Sequence, residues 1–256
     1  MSSKLLVETR DRVRWLTVNR AERRNALDRE TMTLLKEAVV RGGHDPEVRV
    51  IVISGAGGAF SAGADLKANA EVHGQEDLIE GYYNPVIRAI RHAKKPVIAA
   101  VDGVAVGYGC SLALACDIRL ASERARMSLI FVKVGLGLDG GASYFLPRLV
   151  GLRAYELGLT GDMVEAEEAQ RIGLVNRVYP VEGFAERVQS YALKLAAQAP
   201  IAMGKIKESI DRALDAGLDE VLENERFHQQ DIFRTEDFNE GVAAFLEKRA
   251  ATYKGR

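Results

Sequence analysis

Ser54-Gly55-Ala56-Gly57-Gly58-Ala59-Phe60-Ser61-Ala62-Gly63-Ala64-Asp65-Leu66-Lys67 follows an apolar, β-branched run at 48–53, and Val101-Asp102-Gly103-Val104-Ala105-Val106-Gly107-Tyr108-Gly109-Cys110-Ser111 follows another at 96–101. Both segments put glycines just after a buried strand, where they let backbone approach a ligand closely. The second also opens an apolar helix, so its free NH groups sit at a positive helix terminus that suits an oxyanion or a phosphate. Gly107-Tyr108-Gly109 starts like a dinucleotide fingerprint, but Leu112 stands at the sixth position, so the pattern is not completed after this strand, and no Walker sequence occurs. Either loop alone is compatible with a plain tight turn. The informative feature is the pair.

Outward from the loops, 13–18, 48–53, 96–101 and 117–121 read as strands alternating with helical patterns, the signature of α/β units around a buried sheet. Asp28 is a good N-cap for a helix that carries Met32, Leu35 and Val39 on one face and ends near Gly42-Gly43. From Val181 onward helical patterns take over, at 184–197, 201–214, 218–230 and 238–249. The last puts Phe238, Val242, Phe245 and Leu246 on one stripe, which predicts burial against the core or against a neighbouring subunit.

At 256 residues and 47% hydrophobic, the chain can bury a sizeable core. The formal charge of -1, from 35 basic and 36 acidic residues, gives no overall attraction for nucleic acid or an anionic membrane, so any bound anion must be gripped locally. Cys110 and Cys116 lack zinc-site spacing and read as buried reduced thiols; no metal site is expected. Leu5-Leu6-Val7 is too short for a signal peptide and no run approaches transmembrane length, which predicts a cytoplasmic protein.

Five segments then fall in a telling order: Arg24-Asn25-Ala26-Leu27, Phe60 to Lys67, Pro96 to Gly109, Cys116-Asp117-Ile118 and Phe245-Leu246-Glu247-Lys248-Arg249. In that order the chain resembles the crotonase superfamily, the enoyl-CoA hydratase/isomerase family, over nearly its whole length. The resemblance implies an α/β fold, a spiral of ββα units in a core at 1–195, followed by an α-helical C-terminal trimerisation region at 196–256. It implies an acyl-CoA substrate, a homotrimer or homohexamer, and no cofactor beyond the coenzyme A moiety. It implies an oxyanion hole made by the backbone NH groups of Ala64 and Tyr108, with the Tyr108 side chain turned away or shaping the pocket. Coenzyme A contacts are implied at Arg24, Ala26, Ala62, Ala64, Asp65, Leu66, Lys67, Phe245 and Lys248, the last from the same or an adjacent subunit. For the lysines, solvated surface charge is the competing account.

The family's hydratases use two glutamates, and the corresponding positions here are Ser111 and Phe131, which disfavours conventional hydration. Gly135-Leu136-Gly137-Leu138-Asp139-Gly140-Gly141 looks instead like isomerase branches, including phenylacetate-pathway epoxyacyl-CoA isomerases, with Asp139 as a single proton shuttle. Asp139 can equally be an N-terminal cap of a helix at 143–150. The rival functions are a hydratase that recruits an acid from 71–80, an acyl-CoA-binding homologue without catalysis, and nucleophilic attack by Asp139. Leu78, Tyr82, Tyr83, Leu136, Leu138 and Tyr144 are candidates for the acyl pocket.

Overall fold

The computed structural model describes residues 3–70 and 77–256. Its elements run β1 (Leu5–Arg10), β2 (Val13–Val18), α1 (Arg29–His44), β3 (Val50–Gly55), α2 (Leu66–Ala70), α3 (Asn84–His92), β4 (Val97–Val101), β5 (Val104–Val106), α4 (Tyr108–Ala115), β6 (Ile118–Ser122), β7 (Arg126–Ser128), α5 (Ala142–Val150), α6 (Arg153–Thr160), β8 (Val164–Glu165), α7 (Ala166–Arg171), β9 (Arg177–Tyr179), α8 (Phe184–Ala196), α9 (Pro200–Ala213), α10 (Leu218–Ile232) and α11 (Glu236–Glu247). One sheet has the order β1-β2-β3-β4-β6-β9, and a second, smaller one the order β5-β7-β8. From β2 through β9 the large sheet is parallel.

The central strands β3 and β4 are buried on both faces, and this is why they read as apolar runs. Ile51 and Ile53 of β3 face a cluster with Met32, Leu35 and Val39 of α1 and Val86 and Ile90 of α3. Val50 and Val52 face the other way, onto Phe184, Val188 and Ala192 of α8. Each such side chain contributes about 1.5–3 kcal/mol on burial. Asp28 caps α1 as expected, accepting the Thr31 NH at 2.8 Å. The helix continues through the glycine pair to His44.

β1 does not stand out in the sequence because it is an edge strand with only Leu5 buried. The late helices lie within two residues of their expected bounds. Asp117 of the Cys116-Asp117-Ile118 motif anchors α9 to the core, accepting from Arg91 at 3.0 Å and from Lys207 Nζ at 2.9 Å. On α11, Phe245 and Leu246 are 83% and 74% exposed, so the predicted stripe does not pack into the core of its own chain. Both cysteines are buried, and burial pushes their thiols up to about 12, which leaves them unreactive. No helix among the described residues is long and apolar enough to cross a membrane.

Candidate active site

The two glycine loops are stitched together. Phe60 NH and Ser61 NH donate to Val104 O at 3.0 and 2.9 Å, and Val106 NH donates to Ser61 O at 2.9 Å. A methyl group on Gly63, whose φ is +93°, would lie 2.6 Å from Val106 O, and one on Gly109 would lie 2.6 Å from Ser61 O. Only glycine permits this approach.

The early loop joins from the other side. Ala62 NH donates to Arg24 O at 2.9 Å, Leu27 NH to Gly63 O at 2.8 Å and Asp65 NH to Leu27 O at 2.9 Å. In such a parallel bridge the residue opposite Leu27, here Ala64, turns its own NH away from that partner. Tyr108 is the first residue of α4, so its NH has no acceptor within the helix. Among the described residues no backbone acceptor takes either NH. Ala64 and Tyr108 both line one cavity of about 710 Å³.

Asp139 lines the same cavity, together with Phe131, Val134, Leu136 and Leu138. The helix after it starts at Ala142 with Gly141 as N-cap and has no side-chain cap. The capping account of Asp139 is therefore wrong. Its Oδ1 is buried with no hydrogen-bond partner among the described residues, and burial pushes the carboxyl up to about 6. Desolvation penalises the charged form and nothing compensates it. Charge and base strength are held in reserve here, as at functional sites elsewhere.

The Tyr108 side chain shapes the pocket. It is 1% exposed, its hydroxyl donates to Tyr83 O at 2.8 Å, and its ring lies 4.6 Å from that of Tyr83. Burial, with the nearby Asp139 charge next in importance, raises its phenol well above the usual range. Ser111 is fully buried and does not line the cavity; its Oγ lies 3.4 Å from Gly107 O. Phe131 does line it.

Of the remaining expected site residues, Ala62 and Leu66 line the cavity, whereas Arg24, Ala26, Asp65, Lys67, Phe245 and Lys248 do not. Arg24 and Lys67 are exposed. The Asp65 carboxylate accepts from Arg20 Nη2 at 2.9 Å and from Ala68 NH at 3.2 Å. Burial alone would raise its pKa, but the Ala68 and Arg20 bonds outweigh that and lower it. Phe245 borders a separate hollow with Ile201, Ile232, Phe238 and Tyr253.

Among the acyl-pocket candidates, Leu78, Tyr83, Leu136 and Leu138 line the cavity. Tyr82 and Tyr144 do not: the Tyr144 hydroxyl donates to Asp215 at 3.0 Å, and the Arg148 guanidinium covers its ring at 3.7 Å. Residues missed are Ile79, Asn84, Ile130 and Val134, whereas Asp77, which also lines the cavity, belongs to the acidic segment at 71–80 named above as a source of an acid. Ile79–Tyr83 forms a π-helical turn, a frequent companion of functional sites that periodicity does not reveal. Of the acidic segment at 71–80, residues 71–76 lie outside the described residues. Glu80 is engaged by Arg88 and Asn84, which hold its carboxyl down at about 2. Among the described residues no cluster of His, Cys, Asp and Glu is arranged to hold a metal.

Residues 8–256 match the family model described as enoyl-CoA hydratase/isomerase. The chain is 39% identical over 247 residues to 1,2-epoxyphenylacetyl-CoA isomerase of Escherichia coli K12, with 94% of each chain covered. It is 35% identical over 252 residues to a crotonyl-CoA hydratase of Syntrophomonas wolfei, with 97% of each covered. A solved enoyl-CoA hydratase of Bacillus anthracis matches with a TM-score of 0.94 at 33% identity, over 99% of this chain and 100% of that one. The α/β core with its helical C-terminal portion is the fold of these enzymes.

Proposed function

The chain belongs to the enoyl-CoA hydratase/isomerase family, and from that premise we propose that it isomerises an acyl-CoA thioester, with Asp139 as the single proton carrier. One observation carries the reading: a partly desolvated carboxylate, its Oδ1 without a hydrogen-bond partner among the described residues, shares a cavity with two residues whose backbone NH groups have no backbone acceptor among them. The NH groups of Ala64 and Tyr108 receive the thioester oxygen. They gain most when it becomes an enolate, each by about 2.7–4 kcal/mol as in other oxyanion holes. Asp139, near pKa 6, is ionised at neutral pH yet basic enough to take the Cα proton of a 3-enoyl thioester. Returning that proton at Cγ gives the conjugated 2-enoyl product. An epoxyacyl-CoA substrate, as the name of the Escherichia coli relative suggests, would use the same enolate stabilisation.

Asp139→Asn keeps the shape and removes the base, so kcat should fall about 10² to 10⁴ with acyl-CoA affinity nearly unchanged. Full activity in the folded variant would refute the role. A second reading, hydration, is favoured by Asp77, the other carboxylate lining the cavity, and by the hydratase relatives. Turnover of 2-enoyl, 3-enoyl and epoxyacyl-CoA thioesters, with products identified by mass and NMR, separates the two.

The exposed Phe245 and Leu246 on α11 support assembly as a trimer or a pair of trimers, which would also bring Lys248 of one subunit towards the coenzyme A of another. A monomeric mass at micromolar concentration would overturn this. Catalysis through backbone NH groups and a carboxylate needs no metal, so turnover should survive EDTA.

A further inference from the structure

We propose that the side chain of Tyr108 is a positioning residue that keeps Asp139 dry, so that a proton taken from the substrate stays on the carboxyl until it is delivered to another carbon of the same molecule. This deepens the isomerase reading and rests on it. The ring packs against the backbone of the residue that follows Asp139: a methyl group added to Gly140 would lie 2.9 Å from Tyr108 Cε2 and 2.8 Å from Ser111 Cβ. Ser111 thus backs the ring and does not open on the cavity. The phenol is near enough to Asp139 to feel its charge, yet its hydrogen is donated to Tyr83 O. The ring therefore excludes water from Oδ1 without offering it a hydrogen bond, which accounts for the buried, unpartnered oxygen. Among the described residues, the only other carboxylate lining the cavity is the exposed Asp77, and the remaining titratable groups there are the phenols of Tyr83 and Tyr108.

The step balances without a co-reactant. The Cα–H bond breaks, its proton moves to the Asp139 carboxylate and its electron pair enters the dienolate. The O–H bond of Asp139 then breaks as the C–H bond forms at Cγ. A carboxylic acid in contact with bulk water exchanges its proton far faster than a typical enzyme turns over, about 10 per second, so internal return requires that water be kept out.

The test is isomerisation of 3-enoyl-CoA in D2O, combined with a 13C NMR titration of the Asp139 carboxyl, its signal assigned with Asp139→Asn. Wild-type product should carry substrate-derived hydrogen at Cγ. Tyr108→Ala keeps the backbone NH and removes the ring; its product should carry mainly solvent deuterium, and the carboxyl should titrate about one pH unit lower. Tyr108→Phe restores the ring and should restore both retention and titration towards wild type. Complete solvent exchange in the wild type, or an Asp139 titration that is the same in folded Tyr108→Ala, overturns the proposal. The titration requires no turnover, so it fails or succeeds independently of the isomerase reading, which falls instead if Asp139→Asn stays fully active.

Discussion

The paired glycine loops and the 130–141 segment line one cavity by opposite means. In the loops the neighbouring backbone groups are bonded across three segments, and those bonds hold the NH groups of Ala64 and Tyr108 pointing elsewhere. Around Asp139, the carboxylate is set apart by what is withheld: among the described residues no hydrogen-bond donor reaches its Oδ1, which is shut off from solvent. An oxyanion hole must be rigid before the charge arrives. A base must be kept from being too comfortable as an anion.

The most damaging way to break the first arrangement is Gly63→Ala. The added methyl would meet Val106 O at 2.6 Å and Tyr108 N at 3.4 Å, on a backbone at φ +93° that disfavours any side chain. Prying the loops apart displaces both NH donors, so kcat/KM should fall about 10² to 10³. Gly137→Ala sharpens the comparison. Its methyl meets no protein atom within 4 Å and only enters the cavity, so the NH geometry is untouched and kcat/KM should fall far less than in Gly63→Ala. Equal losses in the two variants would show that the loop geometry is not the difference.

A pH series examines the second arrangement. The base must be ionised, and burial has raised Asp139 to about 6, so kcat/KM should be level above pH 7 and fall about tenfold per unit below pH 6. A limb near pH 4 would place the working carboxylate in water. The stability consequence has the opposite sense. A carboxyl whose folded pKa is raised leaves the native state most stable below the unfolded value near 4, and stability is lost as pH rises through about 6. Asp139→Asn removes that loss. Allowing for solvent screening of its exposed part, the variant should be more stable than wild type at pH 8 by on the order of 1 kcal/mol and equal to it at pH 4. Thermal unfolding at both pH values checks the sign.

The contrast also explains what could be read in the sequence. β3 and β4 are legible because strands buried on both faces demand continuous apolar runs, and the loops because glycine answers a local backbone need. β5, β7 and β8 have two or three residues each and carry no period to detect. The ion pair of Asp65 with Arg20 could not be read, because its partner lies 45 residues away in the chain. The Tyr144 hydroxyl is drawn to Asp215, 71 residues away, and that contact depends on how the C-terminal helices fold back. Asp139 was visible as a residue type at a promising place. Its burial was not, because that depends on Tyr108 and Gly140 meeting in space.

The smallest expected effect belongs to Ser111→Ala. A hydroxyl near a candidate oxyanion hole invites a catalytic role, but this one is fully buried and does not line the cavity, and among the described residues no histidine is bonded to it. Its Oγ lies 3.4 Å from Gly107 O, beyond the usual O–H···O range, so little hydrogen-bond energy is lost with it. Removing donor and hydroxyl together leaves no buried donor unsatisfied, and Gly107 O keeps its bond from the Ser111 NH. The variant should lose about 1 kcal/mol of stability or less and keep kcat within roughly twofold, measurable by thermal unfolding and steady-state turnover on one preparation. A loss of tenfold or more in kcat with an unchanged Tm would mean that the hydroxyl reaches the substrate, and the partition between a backbone-built region and a carboxylate-built region would have to be redrawn.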